Sequence, residues 1–361
     1  MRVRPRARGG SLPASPIGHV IVKKIGFLSF GHWNPSPHSQ TRSAADALLQ
    51  SIELAVAAEE LGADGAYFRV HHFARQLGSP FPLLAAVGAR TRRIEIGTAV
   101  IDMRYENPLY MAEDAGAADL IAGGRLQLGI SRGSPEQVID GWRYFGYRPA
   151  DGQSDADMAR RHAEVFLDVL RGEGFAQPNP TPMFPNPPGL LRLEPHAEGL
   201  RERIWWGASS NATAVWAAQL GMNLQSSTLK NDEGGAAFHV QQAAQIRAYR
   251  EAWKEAGHAR EPRVSVSRSI IAVVDDRDRA FFGRGGKEKD QVGYIDESTR
   301  AIFGRSYAAE PDELIAELAQ DEAIQEADTL LLTVPNQLGV DYNAHVIEAI
   351  LTQVAPALGW R

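Results

Sequence analysis

Between residues 24 and 358, a short apolar run gives way to a longer stretch of helical apolar spacing eight times over. No other feature narrows the fold so far. A strand that feeds a crossover helix must run parallel to the next strand, since a tight hairpin would reverse the chain. The strand-like runs are 24–31, 66–70, 93–101, 125–133, 203–210, 222–227, 263–274 and 328–334. The helical ones are 45–65, 80–91, 107–124, 156–172, 211–221, 239–257, 310–321 and 343–358. In the first helix Leu48, Leu49, Ile52, Leu54 and Leu61 recur at helical spacing and Gly62 marks the stop, while Pro108 suits the first turn of the third. The expected fold is α/β, an eight-stranded (β/α) TIM barrel. An open doubly wound sheet is the alternative.

Two stretches break the rhythm. Residues 173–202 are dense in proline ("QPNPTPMFPNPPG"), and 275–309 form a polar, glycine-bearing insertion. Barrels of this kind commonly exceed roughly 250 residues as one unit, so 23–361 reads as a single domain carrying both insertions. Residues 1–22, with Arg2, Arg4, Arg6 and Arg8 followed by Gly and Pro, read as a flexible tail. A net charge of -6 argues against nucleic acid or an anionic membrane as the main partner. No apolar window matches a membrane span or a signal core. The chain has no cysteine, which removes disulfides, thiolate metal sites and thiol nucleophiles and fits a cytoplasmic protein.

In such a barrel, chemistry belongs to the C-terminal ends of the strands and the loops after them. Ser209 and Ser210 lead into a helix starting near Asn211, with Thr213 in its first turn. Free N–H groups, the helix dipole and hydroxyls make such a junction an anion site. Plain N-capping by Ser210 or Asn211 explains the same residues, and locally it is the simpler account. Arg132, at the end of the fourth strand, tips the balance towards an anion, because arginine suits bidentate phosphate contact. No metal site is expected. His32, His38, His71 and His72 lack the His-x-His pairing of zinc barrels, and the last strand offers no carboxylate. Neither a dinucleotide fingerprint nor a Walker-type loop is present.

The ordered series "YFRVHHF" (67–73), "SPFPLLAAVGARTRRIEIGTAVI" (79–101), "NPLYMAEDAGAADLIAGGRLQLGISRG" (107–133), "WWGASSNATAVWAAQLG" (205–221) and "EPDELIAELAQ" (310–320) resembles the bacterial luciferase-like, flavin-dependent monooxygenase family. The likeness spans most of 24–358. It implies a luciferase-like barrel with loop insertions, binding reduced FMN as co-substrate. The phosphate would be held by Ser209, Ser210 and Thr213 with Arg132 nearby, and the ring would lie against Ala99 and Val100, where relatives often have a cis peptide. Ser131 would sit by the reactive edge of the ring.

His71 matches the active-site histidine of the family, which assists proton handling beside the flavin, and His72 becomes a supporting residue. Relatives carry "EHHF" where this chain has "VHHF", so Val70 replaces an acid. Asp102 and Glu106 are the carboxylates that could orient His71 instead. The loop 141–149 and the 275–309 insertion are expected lids. The implied reaction is oxidation of a small organic substrate by dioxygen, with a separate NAD(P)H:flavin reductase as partner and a homodimeric assembly. Deazaflavin-dependent hydride transfer on the same barrel and a non-catalytic flavin-binding accessory subunit are the alternatives.

Overall fold

The computed structural model describes residues 22–133, 137–283, 288–294 and 299–361. The expected tail therefore lies, apart from Val22, outside the described residues. Eight parallel strands close into a barrel: β1 (Lys24–Ser29), β2 (Gly65–Phe68), β3 (Glu95–Asp102), β4 (Leu126–Ser131), β5 (Ile204–Ala208), β6 (Asn223–Ser226), β7 (Val264–Arg268) and β8 (Thr329–Thr333). The order around the ring is β1-β8-β7-β6-β5-β4-β3-β2, with β2 back beside β1. Closure removes the open-sheet alternative. Near-continuous burial along the strands, as in all six residues of β4, is what a sheet covered on both sides requires.

The barrel is packed shut at its N-terminal end. Tyr67, 1% exposed, lies across the interior, and Gly97 makes room for it: a Cβ there would come within 2.7 Å of the Tyr67 ring and 2.1 Å of the Gln127 carbonyl oxygen. Trp205 Nε1 donates to Gln127 Oε1 at 2.9 Å. Arg263 stacks over the Trp205 ring at 4.8 Å and grips Glu95 with two hydrogen bonds of 3.0 Å. Space for a ligand is left at the opposite end, where the strands point.

Helices α1 (Ala44–Glu60), α2 (Pro80–Arg90), α3 (Pro108–Ile121), α4 (Asp155–Val169) and α5 (Asn211–Gln219) follow their strands as expected. Ser43 and Asp46 form a capping box that starts α1, and Gly62 takes φ +86° just after it ends. The core face of α1 differs from the leucine stripe. Ala47, Ser51, Leu54, Ala55 and Ala58 are buried, whereas Leu48 and Leu49 are 41% and 60% exposed. Small side chains bring the helix close to the strands, and Leu48 and Leu49 are left outside.

Three further features depart from the sequence reading. β2 ends at Phe68, two residues short of the expected end at Val70, although His71 and His72 follow it as expected. The run 263–274 is two strands. β7 stops at Arg268, and Ile270–Ala272 pairs instead with Tyr307–Ala309. Within 275–309 lie a short helix, Asp276–Phe282, and strands Gln291–Tyr294 and Arg300–Phe303, which join Leu229–Asn231 in a three-stranded sheet. The proline-rich stretch is irregular as expected, with one isolated bridge between Ala176 and Leu191.

One buried corner ties the late elements together. Asp321 accepts from Arg268 Nε at 2.8 Å and Nη2 at 3.1 Å, from the Tyr307 hydroxyl at 2.8 Å, and from Ile324 N at 3.0 Å. Burial opposes its charge, yet the Arg268 guanidinium holds the carboxyl below the usual aspartate range.

Candidate active site

A cavity open to solvent occupies the C-terminal mouth of the barrel. Its walls come from the ends of most strands, which is where a parallel barrel exposes groups that no ladder consumes. The residues expected from sequence to handle protons or hold the flavin all lie on this wall: His71, Ala99, Val100, Ser131, Arg132, Ser209, Ser210 and Thr213.

The floor is made by β3. Its ladder with β4 is irregular between Thr98 and Ile101, and the intervening Ala99–Val100 peptide bond is cis. Gly207 of β5 packs against this point; a Cβ on it would meet Val100 Cγ1 at 2.8 Å. Two buried polar atoms lie in residues of the same wall. Trp206 Nε1 and Gln225 Oε1 have no hydrogen-bond partner among the described residues, although Gln225 Nε2 donates to Thr98 O at 3.0 Å. Both atoms are sealed from the cavity, and Trp206 packs on Trp216 of α5 with ring centroids 4.7 Å apart. The fit to a flavin rests on the wall itself, where Gly207 keeps the Ala99–Val100 floor clear and hydroxyls and arginines gather at one end.

At the β5–α5 junction Ser210 is the N-cap, its Oγ accepting from Thr213 N at 3.3 Å and lying 3.0 Å from Thr213 Oγ1. The simple capping account thus holds, and the two hydroxyls nevertheless face the cavity wall. Asn211 N donates to both Glu233 oxygens, at 3.2 and 3.3 Å, and Glu233 is in turn paired with the buried Lys230. Arg132 Nε is 3.9 Å from Asp155, and Arg160 of α4, which the sequence reading missed, joins the same wall 3.7 Å from Asp157. On the exposed side of a helix an arginine has no sequence mark that separates it from a surface charge.

The paired histidines part company. His71 lines the cavity, while His72 is buried beside it, stacked on Tyr105 with ring centroids 4.1 Å apart. The expected lid at 141–149 covers His72: Phe145 packs edge-on against both His72 and Tyr105 at 5.1 Å. It contributes nothing to the cavity wall. The other expected lid does, through Thr299, together with Leu229 and Asn231 of the adjoining strand.

Of the two carboxylates considered for His71, Asp102 lines the cavity but gives both oxygens to the buried Arg104, at 2.6 to 3.0 Å. Burial opposes the Arg104 charge, but Asp102 and Asp155 hold its pKa well above the ordinary value. Glu106 is not on the cavity wall. Burial, with Asp102 and Asp114 nearby, pushes its carboxyl up to about 7. The folded chain then binds a proton that the unfolded chain releases near 4.5, so stability falls as pH rises between these values. Glu106→Gln should leave urea stability at pH 4 nearly unchanged and raise it by about 2 kcal/mol at pH 8. A gain equal at both pH values would remove Glu106 as the titrating group.

Among the described residues, no helix is long and apolar enough to cross a membrane. Among the described residues one three-residue cluster of potential metal ligands occurs, Asp275, Asp278 and His345, and none of the three lines the cavity; Asp278 there already accepts from Tyr342, His345 and two backbone amides.

Comparison with known proteins agrees with this arrangement. The sequence model described as Luciferase-like monooxygenase matches residues 25–325. The alkanal monooxygenase alpha chain of Photorhabdus luminescens is 26% identical over 242 residues, which cover 64% of this chain and 60% of the relative. The chain spans about three fifths of the length of such curated relatives, 57% in another case. Among solved structures, the oxygenating constituent of 3,6-diketocamphane monooxygenase from Pseudomonas putida, in complex with FMN, aligns with a TM-score of 0.66 and 19% identity over 92% of this chain and 98% of that one. An F420-dependent secondary alcohol dehydrogenase aligns with a TM-score of 0.59 and 17% identity over 93% and 99%. The two structural likenesses speak for the fold alone.

Proposed function

The chain belongs to the luciferase-like monooxygenase family, and from that premise we propose that it binds reduced FMN and oxidises a small organic substrate with dioxygen. One observation carries the reading: a hydroxyl-and-arginine end, a glycine-bordered floor and a histidine share a single cavity. Ser209, Ser210, Thr213, Arg132 and Arg160 suit a phosphate, through charge-assisted bonds and the α5 N-terminus. Ala99 and Val100 suit the flat face of the ring, with Ser131 beside it. When bound, reduced FMN supplies the electrons that activate dioxygen. The protein's own task is to orient the ring, exclude water and hold a proton at His71.

A separate reductase would deliver the reduced flavin. The single domain would run from 23 to 361. Exposed Leu48 and Leu49 on α1, with Leu109 and Tyr110 at the start of α3, support pairing of two copies through the helices beside the first barrel units.

Reconstitution tests the reading. Under anaerobic conditions the full chain is titrated with reduced FMN and with a reduced F420-type deazaflavin, followed by absorbance. Tighter binding of FMN is expected. A preference of about tenfold or more for the deazaflavin would instead assign the cavity to hydride transfer.

A further inference from the structure

The hydroxyl end of the cavity is held from behind by buried amides. Helix α6 (Phe238–Glu255) packs on α5 and β6 and buries Gln241, Gln242 and Gln245 on one face. Gln242 and Gln245 are 0% exposed. A buried amide is costly unless it is bonded, and an apolar stripe would serve packing alone at less cost. These three reach instead to the segments around the cavity. Gln241 Nε2 donates to Asp232 Oδ1 and Ala236 O, both at 2.8 Å, and its Oε1 accepts from Glu233 N at 3.1 Å. Gln242 Nε2 donates to Ser227 O at 2.8 Å. Gln245 Nε2 donates to Ser210 O at 3.0 Å and Ala208 O at 3.3 Å, and its Oε1 accepts from the Ser226 hydroxyl at 2.6 Å. Two carbonyls can only accept, so they fix which end of the Gln245 amide is nitrogen.

The effect on the β5–α5 junction is directional. Every carbonyl from Ala208 to Ser210 is engaged by β6, the segment after it, or α6. Ala208 O also accepts from Ser227 N at 3.2 Å, and Ser209 O accepts from Asn231 N at 2.9 Å. A carbonyl oxygen aimed into an anion site would repel the anion, and these are tied elsewhere. The hydroxyl of Thr213 gains most. Its Oγ1 lies 3.1 Å from Ser210 O, but that oxygen has two lone pairs and already accepts from Ala214 N at 3.2 Å and from Gln245. The Thr213 proton can therefore turn to an oxygen arriving in the cavity. Charge is supplied by the wall arginines, Arg69, Arg132 and Arg160, whereas the junction supplies dipoles, which act only when they are aimed.

We infer that Gln245 is a positioning residue for the flavin phosphate. It is not on the cavity wall and acts through the junction. By holding the Ala208 and Ser210 carbonyls back, it leaves the Ser209, Ser210 and Thr213 hydroxyls to meet the phosphate. Ser226, which donates to its Oε1, keeps the amide in the working orientation. The assignment rests on the flavin reading of the cavity and adds to that site a residue that lies behind its wall.

The test compares FMN with riboflavin, which lacks the phosphate, by fluorescence titration of wild type, Gln245→Met and Ser226→Ala. Wild type binding neither flavin would remove the flavin reading, and this assignment with it. Otherwise wild type should prefer FMN by about tenfold or more, as charge-assisted contacts to a phosphate require. Gln245→Met keeps the volume and loses the donor. It should cut that preference by about fivefold or more while changing the riboflavin Kd less than about twofold. A preference as large in Gln245→Met as in wild type, or a loss shared equally by the two flavins, overturns the proposal and leaves the flavin reading standing. Should Gln245→Met fail to fold, Ser226→Ala decides the matter. Without the hydroxyl that orients the amide, the FMN preference should fall by about threefold, and an unchanged preference overturns the proposal.

Discussion

Arg132→Ala should weaken FMN by about tenfold to a hundredfold and riboflavin by less than about twofold. The asymmetry follows from chemistry. Only FMN carries a phosphate, and a charge-assisted bond to one is worth about 1.5–3 kcal/mol. Arg132 is half-exposed and only loosely held by Asp155 at 3.9 Å, so solvent screens part of its charge but little competes for its fork. Arg160 on the same wall keeps some phosphate affinity in the variant, which caps the loss. Fluorescence titration of the two flavins gives the comparison directly. An equal loss for both would mean that Arg132 supports the cavity without touching a phosphate.

Asp321→Ala should cost about 3–5 kcal/mol of stability, read as a shifted midpoint in urea unfolding. Asp321 and Arg268 are almost wholly buried, and the variant leaves the guanidinium inside the protein without its carboxylate. The Tyr307 hydroxyl and Ile324 N lose their acceptor at the same time. Asp321→Asn restores shape and some hydrogen bonds, so its cost should fall between wild type and alanine. The pH dependence has a fixed sign. Since the folded carboxyl titrates below the ordinary aspartate range, its contribution is present above that range and disappears as pH falls through the lowered value. A midpoint unchanged by Asp321→Ala would show that the corner tolerates a lone guanidinium.

The barrel was legible because strands covered on both sides must be mostly apolar, and runs such as 126–131 and 329–333 are. The site was legible for a related reason. Polar residues where a strand runs out, such as Ser131 and then Arg132, stand out against the apolar run before them. Other parts left no such trace. The break between Arg268 and Ile270 lies in an unbroken β-leaning run and is set by Tyr307–Ala309, a partner almost forty residues away. Leu48 and Leu49 fit a helical stripe as well as the true one, because periodicity counts hydrophobic residues and alanine packing does not stand out.

Glu233 alters what it means for an anion to arrive at α5. The helix end already carries a carboxylate, bonded to Asn211 N and paired with buried Lys230. On the proposed reading, a phosphate arriving there would have to take the place of that carboxylate. Binding would then be an exchange of one negative group for another, with Lys230 released by Glu233 for the newcomer. Such an exchange changes the local charge less than simple capture does, so fewer ions leave or join the surrounding solvent. Flavin affinity should accordingly depend on ionic strength less steeply than three cavity arginines alone would suggest.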